Sequence, residues 1–254
     1  MPMIYAMLPD KSGDTYVRFF EEIKNRIVKS PTQFTHDFEK GALNAIEACF
    51  DGVSINGCYF HFAQCLWKNM LKHKLSISYS KNPAIHHAFM SLECLAFLPV
   101  SDVIHGFKTI SASAPTTFAP MLVYFEKNFI GRLDKRDTRA KRRVIPVYPI
   151  RMWNVRERVL AHEPRTNNSI EAWHKAFAAD ICNHPTYAKL IEAFRVEQRN
   201  MEVLYAQLRT GDIYPRKKES IEKDKLVETL VLEYKKENIE QFFVELSLIL
   251  NSYN

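Results

Sequence analysis

The chain has 254 residues, 46% of them hydrophobic and 12% aromatic, with a net charge of +6 and a pI near 9.0. This composition excludes a disordered chain and suits one large domain or one domain with an insertion. No apolar run approaches the ~20 residues that span a bilayer, and the amino-terminal sequence carries no secretory signal. Five scattered cysteines are typical of reduced thiols in an intracellular protein.

The first third of the chain alternates strand and helix patterns. Short strand-like runs predict three strands, at 3–8, 33–37 and 53–60. Periodic apolar residues predict a helix that Asp14 caps, a second helix over 41–50 and a third over 62–74. This alternation is typical of an α/β arrangement.

A helical pattern interrupted by prolines occupies the rest of the chain. Helices are predicted near 84–97, 101–109, 118–129, 169–181, 185–208 and 220–252. The last of these carries an apolar stripe, which favours a core or an interhelix seam over a binding surface. The stripe consists of Ile239, Phe242, Phe243, Leu246 and Ile249. The predicted fold class is therefore α/β, in a helix-rich α+β form.

Asp37 lies at the carboxyl-terminal end of the second predicted strand. An acid at that place in a sheet often faces a ligand crevice, and acids on separate elements can converge on metal ions. The alternative is that Asp37 caps the helix that follows it.

Glu171 is the second candidate acid, 134 positions further along the chain in the first turn of a predicted helix. His174 lies one turn later on the same face, where it could donate to a phosphate or orient the acid. Asn168 and Glu171 also fit a capping box, so a purely local role for this glutamate is the alternative.

Cys58 and His61 have metal-ligand spacing, but one Cys-x-x-His pair is only half of a tetrahedral zinc site. None of the other cysteines and histidines nearby has the spacing of a second pair. The possible complements are Cys65, His73, His162, Cys182 and His184. The alternative is a buried thiol beside a hydrogen-bonded histidine at a strand-to-helix junction.

Positive charge is concentrated between positions 132 and 143, where seven basic residues stand against two acids. The basic residues are Arg132, Lys135, Arg136, Arg139, Lys141, Arg142 and Arg143. Such a stretch suits a polyphosphate partner such as DNA, and a solvated loop is the alternative. The region 216–240 carries equal numbers of acids and bases, which indicates an ordinary charged surface.

Several common catalytic motifs are missing from the sequence. It has no glycine-rich phosphate cradle, no G-x-S-x-G elbow and no H-E-x-x-H helix. These gaps argue against nucleotide hydrolysis by a P-loop, serine hydrolysis and zinc proteolysis.

Taken in order, several short stretches resemble the transposase domain of Mutator-like elements, the MULE family. They lie at 5–12, 15–16, 37–40, 57–67, 124–126, 130–132, 153–155 and 165–174. The resemblance runs in register from about residue 3 to about residue 200. Each stretch is short, and their joint order carries the resemblance.

The resemblance implies an RNase H-like core that cuts and joins DNA by a three-acid mechanism with Mg²⁺ or Mn²⁺. Asp37 looks like the family's second aspartate, Glu171 like its glutamate, and Cys58 with His61 like its Cys-x-x-His motif. It further implies transposon-end DNA as the partner, a nuclear location, a possible homo-oligomer and no membrane association. Zinc at Cys58 and His61 is a separate expectation.

This chain departs from the family pattern at the first aspartate, which the family carries on a strand upstream of the stretch that begins here. Asp10 and Asp14 align with a turn and a helix start. An incomplete sheet is therefore expected, in which the 33–37 strand exposes an edge. The resemblance divides the chain into a partial core at 1–74, a helical insertion at 75–165, a return to the core at 166–208 and a terminal helix at 209–254.

Three hypotheses about function follow. The first is a truncated or decayed transposase that carries out no strand transfer alone, because each missing carboxylate weakens metal binding. The second is a domesticated, non-catalytic DNA-binding regulator that grips phosphates through the 132–143 stretch. The third is a structural metal-binding protein built around Cys58 and His61.

Overall fold

The structure is a computed structural model that describes residues 4–134, 142–181, 184–211 and 216–251. It is mostly helical, with one small sheet of two parallel strands, β1 (Gln33–His36) and β2 (Ser54–Gly57). The helices of the first half are α1 (Gly13–Arg26), α2 (Lys40–Cys49), α3 (Tyr59–Lys72), α4 (Ser76–Lys81), α5 (Pro83–Cys94), α6 (Val103–Ser113) and α7 (Ala119–Phe125). Those of the second half are α8 (Ile150–Trp153), α9 (Arg156–Leu160), α10 (Asn168–Asp180), α11 (Tyr187–Arg209), α12 (Lys218–Glu233) and α13 (Ile239–Asn251).

The β1-α2-β2 segment forms the small sheet and the first of two cores. β1 and β2 pair in parallel over their whole length, from Gln33 opposite Ser54 to His36 opposite Gly57. Helices α1 and α2 pack together around a small apolar cluster that includes Phe20 and Ile46. The predicted strand at 33–37 and helix at 41–50 are confirmed to within one residue at each end. Of the strand predicted over 53–60, only Ser54–Gly57 forms a strand, β2.

The strand predicted at 3–8 is wrong over 4–8, the part of it that the structure describes. These residues form no strand, and all but Tyr5 are exposed. The Tyr5 ring lies 5.6 Å from the ring of Trp173 and 5.2 Å from that of Phe194. The segment therefore docks one aromatic side chain on α10 and α11 and pairs with no strand. Among the described residues β1 bonds to β2 alone, so its other edge has no strand partner.

The larger core is aromatic and combines α3, the middle helices and the carboxyl-terminal helices. At its centre Phe62 stacks on Trp153 at 5.0 Å, and Phe129 meets Phe62 edge-on at 5.2 Å. The indole N–H of Trp153 donates to the carbonyl of Phe129 at 3.0 Å, which satisfies its one buried polar group. Helices predicted near 84–97, 101–109 and 118–129 are confirmed.

The single helix predicted over 220–252 is wrong, because α12 and α13 are separate helices. The turn between them is held by contacts with Asp102, which lies far away in the sequence. The Tyr234 hydroxyl lies 3.2 Å from a carboxylate oxygen of Asp102, and Lys236 pairs with the same acid at 3.4 Å. The turn lets α13 fold back, and the described members of its apolar stripe are buried or half-buried, as predicted.

The start of α1 and the short helices differ from the prediction. The N-cap of α1 is Ser12, whose hydroxyl accepts from the N–H of Thr15 at 3.3 Å, so the cap predicted at Asp14 is wrong. The short helices α4, α8 and α9 were not predicted, because they contain too few residues for an apolar period to show. No helix among the described residues is both long enough and apolar enough to cross a bilayer.

Candidate metal centre

The register of the small sheet sets Asp37 and Cys58 side by side. Each is the residue that follows its strand, and the last paired residues are His36 and Gly57. The backbone N–H of Cys58 donates to the carbonyl of His36 at 3.0 Å and continues the ladder by one step. Two side chains with ligand atoms therefore leave the carboxyl-terminal end of the sheet side by side.

His61 joins this pair from the first turn of α3. Cys58 is the N-cap of that helix, and His61 lies three residues later, above the same end of the sheet. The Nδ1 atom of His61 lies 2.8 Å from Oδ1 of Asp37. Nδ1 is buried and forms no hydrogen bond of acceptable direction, which leaves its lone pair or proton without a partner.

Asn167 holds the two sheet-end side chains in place. Its amide Nδ2 donates to Oδ1 of Asp37 at 3.0 Å, and its Oδ1 accepts from the Cys58 thiol at 2.9 Å. Its backbone N–H also points at the Cys58 sulfur at 3.5 Å. The role of Asn167 was not predicted, since its partners lie more than a hundred positions away, and its place in the 165–174 stretch was the only signal.

Glu171 reaches the same histidine from the other side. Its Oε1 lies 3.8 Å from Nε2 of His61, so His61 stands between the two predicted acids, Asp37 and Glu171. The two carboxylate side chains are 45% and 38% exposed, whereas the imidazole between them is 16% exposed. The two acids that the sequence analysis expected to converge therefore lie at one site.

The capping box predicted from Asn168 to Glu171 is wrong. Asn167 occupies the N-cap of α10, and it makes no side-chain capping bond because its amide is engaged with Asp37 and Cys58. Glu171 is thus left available to the site. His174 lies one turn further along α10 and is exposed, with its ring 5.0 Å from that of Trp173.

Arg158 fastens the loop before α10 to the end of β2. Its buried guanidinium donates to the carbonyl of Gly57 at 2.8 Å and to those of Pro164 and Arg165 at 3.4 and 3.5 Å. Burial lowers the pKa of this guanidinium. The N–H of Tyr59 donates to the Arg165 carbonyl at 2.9 Å, so Asn167 and α10 are brought close to Asp37, Cys58 and His61.

Gly57 allows the close approach of the residue that follows Asp37. A Cβ atom at Gly57 would lie 2.6 Å from Cζ of Phe38. We expect Gly57→Ala to lower the free energy of unfolding by about 1–3 kcal/mol, because the Phe38 ring is held in the core and has little room to move. Urea unfolding measures this change. Gly13→Ala is the control, since a Cβ there meets nothing within 4 Å; equal losses in both variants would contradict the steric explanation.

Burial shifts the pKa values of two groups beside the centre. It lowers the pKa of His36, whose Nδ1 lies 2.8 Å from the carbonyl of Asp37, and so favours the neutral ring. It raises the pKa of the Cys65 thiol, on the second turn of α3. Cys65 is therefore held as a thiol close to, but outside, the donor group.

The donors that come together are Asp37, Cys58 and His61, whose ligand atoms all lie within 4.8 Å of one another. Two of the three are sulfur and nitrogen, whereas Mg²⁺ and Mn²⁺ prefer oxygen ligands. The set fits a borderline or soft ion, and it does not fit the magnesium site that the resemblance implies. Within the described residues, Cys65, His73, His162 and His184 do not join it, and Cys182 lies outside them.

The basic stretch begins and ends in a short antiparallel pairing. Leu133 bridges to Arg143, and the N–H of Val144 donates to the carbonyl of Arg132 at 2.8 Å. Arg132 and Arg142 are exposed, whereas Arg143 contacts the carbonyl of Gly131 and pairs with Glu126 at 2.8 Å. Those contacts give Arg143 a structural role. The remaining predicted DNA contacts, Lys135, Arg136, Arg139 and Lys141, lie outside the described residues.

The structure thus brings four predicted residues, Asp37, Cys58, His61 and Glu171, to a single site that the sequence analysis treated as two. It adds Asn167 and Arg158, which position them. Comparison of the chain with protein-family models, with curated proteins and with solved structures finds no match.

Proposed function

We propose that this chain is a DNA-binding domain of the Mutator-like transposase type, with a metal centre and without strand transfer of its own. One observation carries the proposal: Asp37 and Glu171, from elements far apart in the chain, both reach His61. Acids gathered in this way at the end of a sheet are typical of metal-dependent chemistry on phosphodiesters. A nuclear location, transposon-end DNA and assembly of several copies belong to the same proposal.

An RNase H-like core is part of this proposal. It is supported by the parallel β1-α2-β2 unit, by Asp37 directly after β1 and by Glu171 in the first turn of α10. On this assignment residues 75–165 are an insertion between the two acids. That segment supplies much of the aromatic core beneath the site, so it also supports α3.

Catalytic turnover is not expected from the residues that meet here. Two carboxylates contact His61, whereas the three-acid mechanism needs a further one to place and neutralise its ions. Sulfur and nitrogen from Cys58 and His61 also stand where magnesium would require oxygen. We therefore expect no nicking of plasmid DNA with Mg²⁺ or Mn²⁺. Metal-dependent nicking that disappears in Asp37→Asn would contradict this and would favour an active transposase core.

DNA binding through the basic stretch is the testable part of the proposal. A fluorescence anisotropy titration of labelled duplex DNA over a range of salt concentrations measures the slope of log K against log salt. We expect each lost phosphate contact to reduce that slope by about 0.9. The test variant changes four basic residues to glutamine and leaves Arg143, with its structural contacts, in place. The four are Arg132, Arg136, Arg139 and Arg142.

The matched control makes the same change of charge on and beside α12. It replaces Lys217, Lys218, Lys225 and Lys235 with glutamine. The control is expected to keep the wild-type slope, because these lysines belong to a surface of balanced charge. Equal reductions in both variants would mean that net charge alone attracts DNA, and an unchanged slope in the test variant would mean that the 132–143 stretch is only a loop.

A further inference from the structure

We propose that Asp37, Cys58 and His61 bind a zinc-class transition-metal ion, and that Glu171 orients His61 instead of binding the ion. The inference concerns the same site as the proposed function and rests only on its metal-binding part. It assigns to Glu171 a role different from the one that the resemblance implies, and it replaces two metal expectations, magnesium and zinc, with one centre.

The donor geometry is the first support. In a tetrahedral zinc site the bonds to oxygen, nitrogen and sulfur measure about 2.0–2.3 Å, which places the donors about 3.3–3.8 Å apart. The three donor atoms here lie within 4.8 Å of one another, and Nδ1 of His61 and Oδ1 of Asp37 are 2.8 Å apart, so this pair must separate slightly when an ion binds. All three side chains leave the junctions of β1, β2 and α3, so small rotations suffice to close the site.

The chemistry of the donors is the second support. A thiolate and an imidazole select zinc, cobalt and related ions, whereas Mg²⁺ and Ca²⁺ are held by oxygen. Cys58 is fully buried, so its sulfur faces the centre and not solvent. Asp37 supplies one hard oxygen, a combination that zinc accepts in catalytic sites.

The two nitrogens of His61 are the third support. Nδ1 is buried, close to Asp37 Oδ1 and without a hydrogen bond of acceptable direction, which suits an atom that shares an ion with that carboxylate. Nε2 faces Glu171 at 3.8 Å. A metal-binding histidine usually donates its other ring N–H to a carboxylate, which fixes the tautomer and the ring orientation. Glu171 is the carboxylate that faces Nε2, and a rotation of its side chain that shortens this separation would let it accept the bond.

Asn167 completes the surroundings of the sulfur. When the ion binds, the S–H bond of Cys58 breaks, its electron pair forms the bond to the metal, and the proton passes to solvent. The bond to Asn167 Oδ1 is then lost, while the backbone N–H of Asn167 still points at the sulfur from 3.5 Å. Three protein ligands leave one position open, as in zinc sites that bind water or substrate.

Cobalt titration of the purified, chelator-treated chain tests the proposal. Co²⁺ bound to a thiolate shows a charge-transfer band that Zn²⁺ abolishes by displacement. We expect this band in the wild type at one ion per chain, its loss in Cys58→Ser and its retention in Cys65→Ser, the neighbouring thiol on α3. We expect Glu171→Gln to keep the band but weaken Co²⁺ binding by about 10–100-fold.

Absence of the band in the wild type, or its persistence in Cys58→Ser, would overturn the proposal. Full loss of the band in Glu171→Gln would show that Glu171 is a ligand.

If Cys58→Ser does not fold, wild-type calorimetry decides whether the site binds a zinc-class ion. Zn²⁺ binding should release a proton, seen as a buffer-dependent heat, and a large excess of Mg²⁺ should not compete; competition by Mg²⁺ would overturn the proposal. DNA affinity is measured separately, so failure here leaves the DNA-binding proposal standing, and the reverse also holds.

Discussion

Phe62→Ala is expected to lower the free energy of unfolding by about 3–5 kcal/mol, the usual cost of deleting a fully buried aromatic ring. Phe62 has no exposed surface and lies between Trp153 and Phe129. Because its neighbour His61 belongs to the proposed metal site, loss of this anchor in the first turn of α3 should also disturb that site. Urea unfolding measures the stability, and the Co²⁺ titration reports any loss of affinity.

Phe60→Ala is the matched control on the same turn of α3. The Phe60 side chain is 44% exposed, so its removal is expected to change stability by less than about 1 kcal/mol. Phe62→Leu, which keeps most of the buried volume, should fall between the two. Similar losses for Phe60→Ala and Phe62→Ala would mean that the aromatic core does not support this helix.

Glu93→Gln is expected to stabilise the protein at alkaline pH and to have little effect at acidic pH. Burial on α5 raises the pKa of Glu93 from 4.5 to about 7. Above pH 7 the folded protein therefore holds a buried carboxylate. The difference between the two pKa values corresponds to roughly 3 kcal/mol, which the neutral amide avoids.

The direction of this pH dependence follows from proton binding. Between pH 4.5 and about 7 the folded protein keeps the proton on Glu93 while the unfolded chain loses it, so wild-type stability falls as the pH rises. Urea unfolding at pH 5 and pH 8 should show a larger gain for Glu93→Gln at pH 8. Glu240→Gln, at an exposed position on α13, should give no such dependence. An equal gain for Glu93→Gln at both pH values would contradict the raised pKa.

The elements that were predicted correctly are those whose signals are local. Helix α3 repeats its apolar residues with the helical period, and β1 alternates exposed and half-buried residues over Gln33–His36. The placement of Asp37 followed directly, because it is the first residue after that strand. An isolated apolar run is weaker evidence, as residues 4–8 show: a strand needs a partner, and this segment instead docks Tyr5 on Trp173.

Other errors arose where a distant contact overrode a local preference. Asn168 and Glu171 fit a capping box, but the engagement of Asn167 with Asp37 and Cys58 moves the start of α10 by one residue. Nothing near Tyr234 breaks a helix by itself. The ties of Tyr234 and Lys236 to Asp102 and the burial of the α13 stripe stop α12 there, because packing outweighs helix propensity.

The sequence by itself determined which side chains could bind a metal, since Cys58 and His61 stand three apart, Asp37 ends a predicted strand and Glu171 lies in the first turn of a predicted helix. It also determined that positive charge is concentrated near one loop. Only the tertiary structure decided that these residues form one centre. The reason is the parallel register of β1 and β2, which sets Asp37 beside Cys58, together with Arg158 and Asn167, which bring Glu171 to His61. Pairing register is fixed by contacts between two segments that are separated in the sequence by α2.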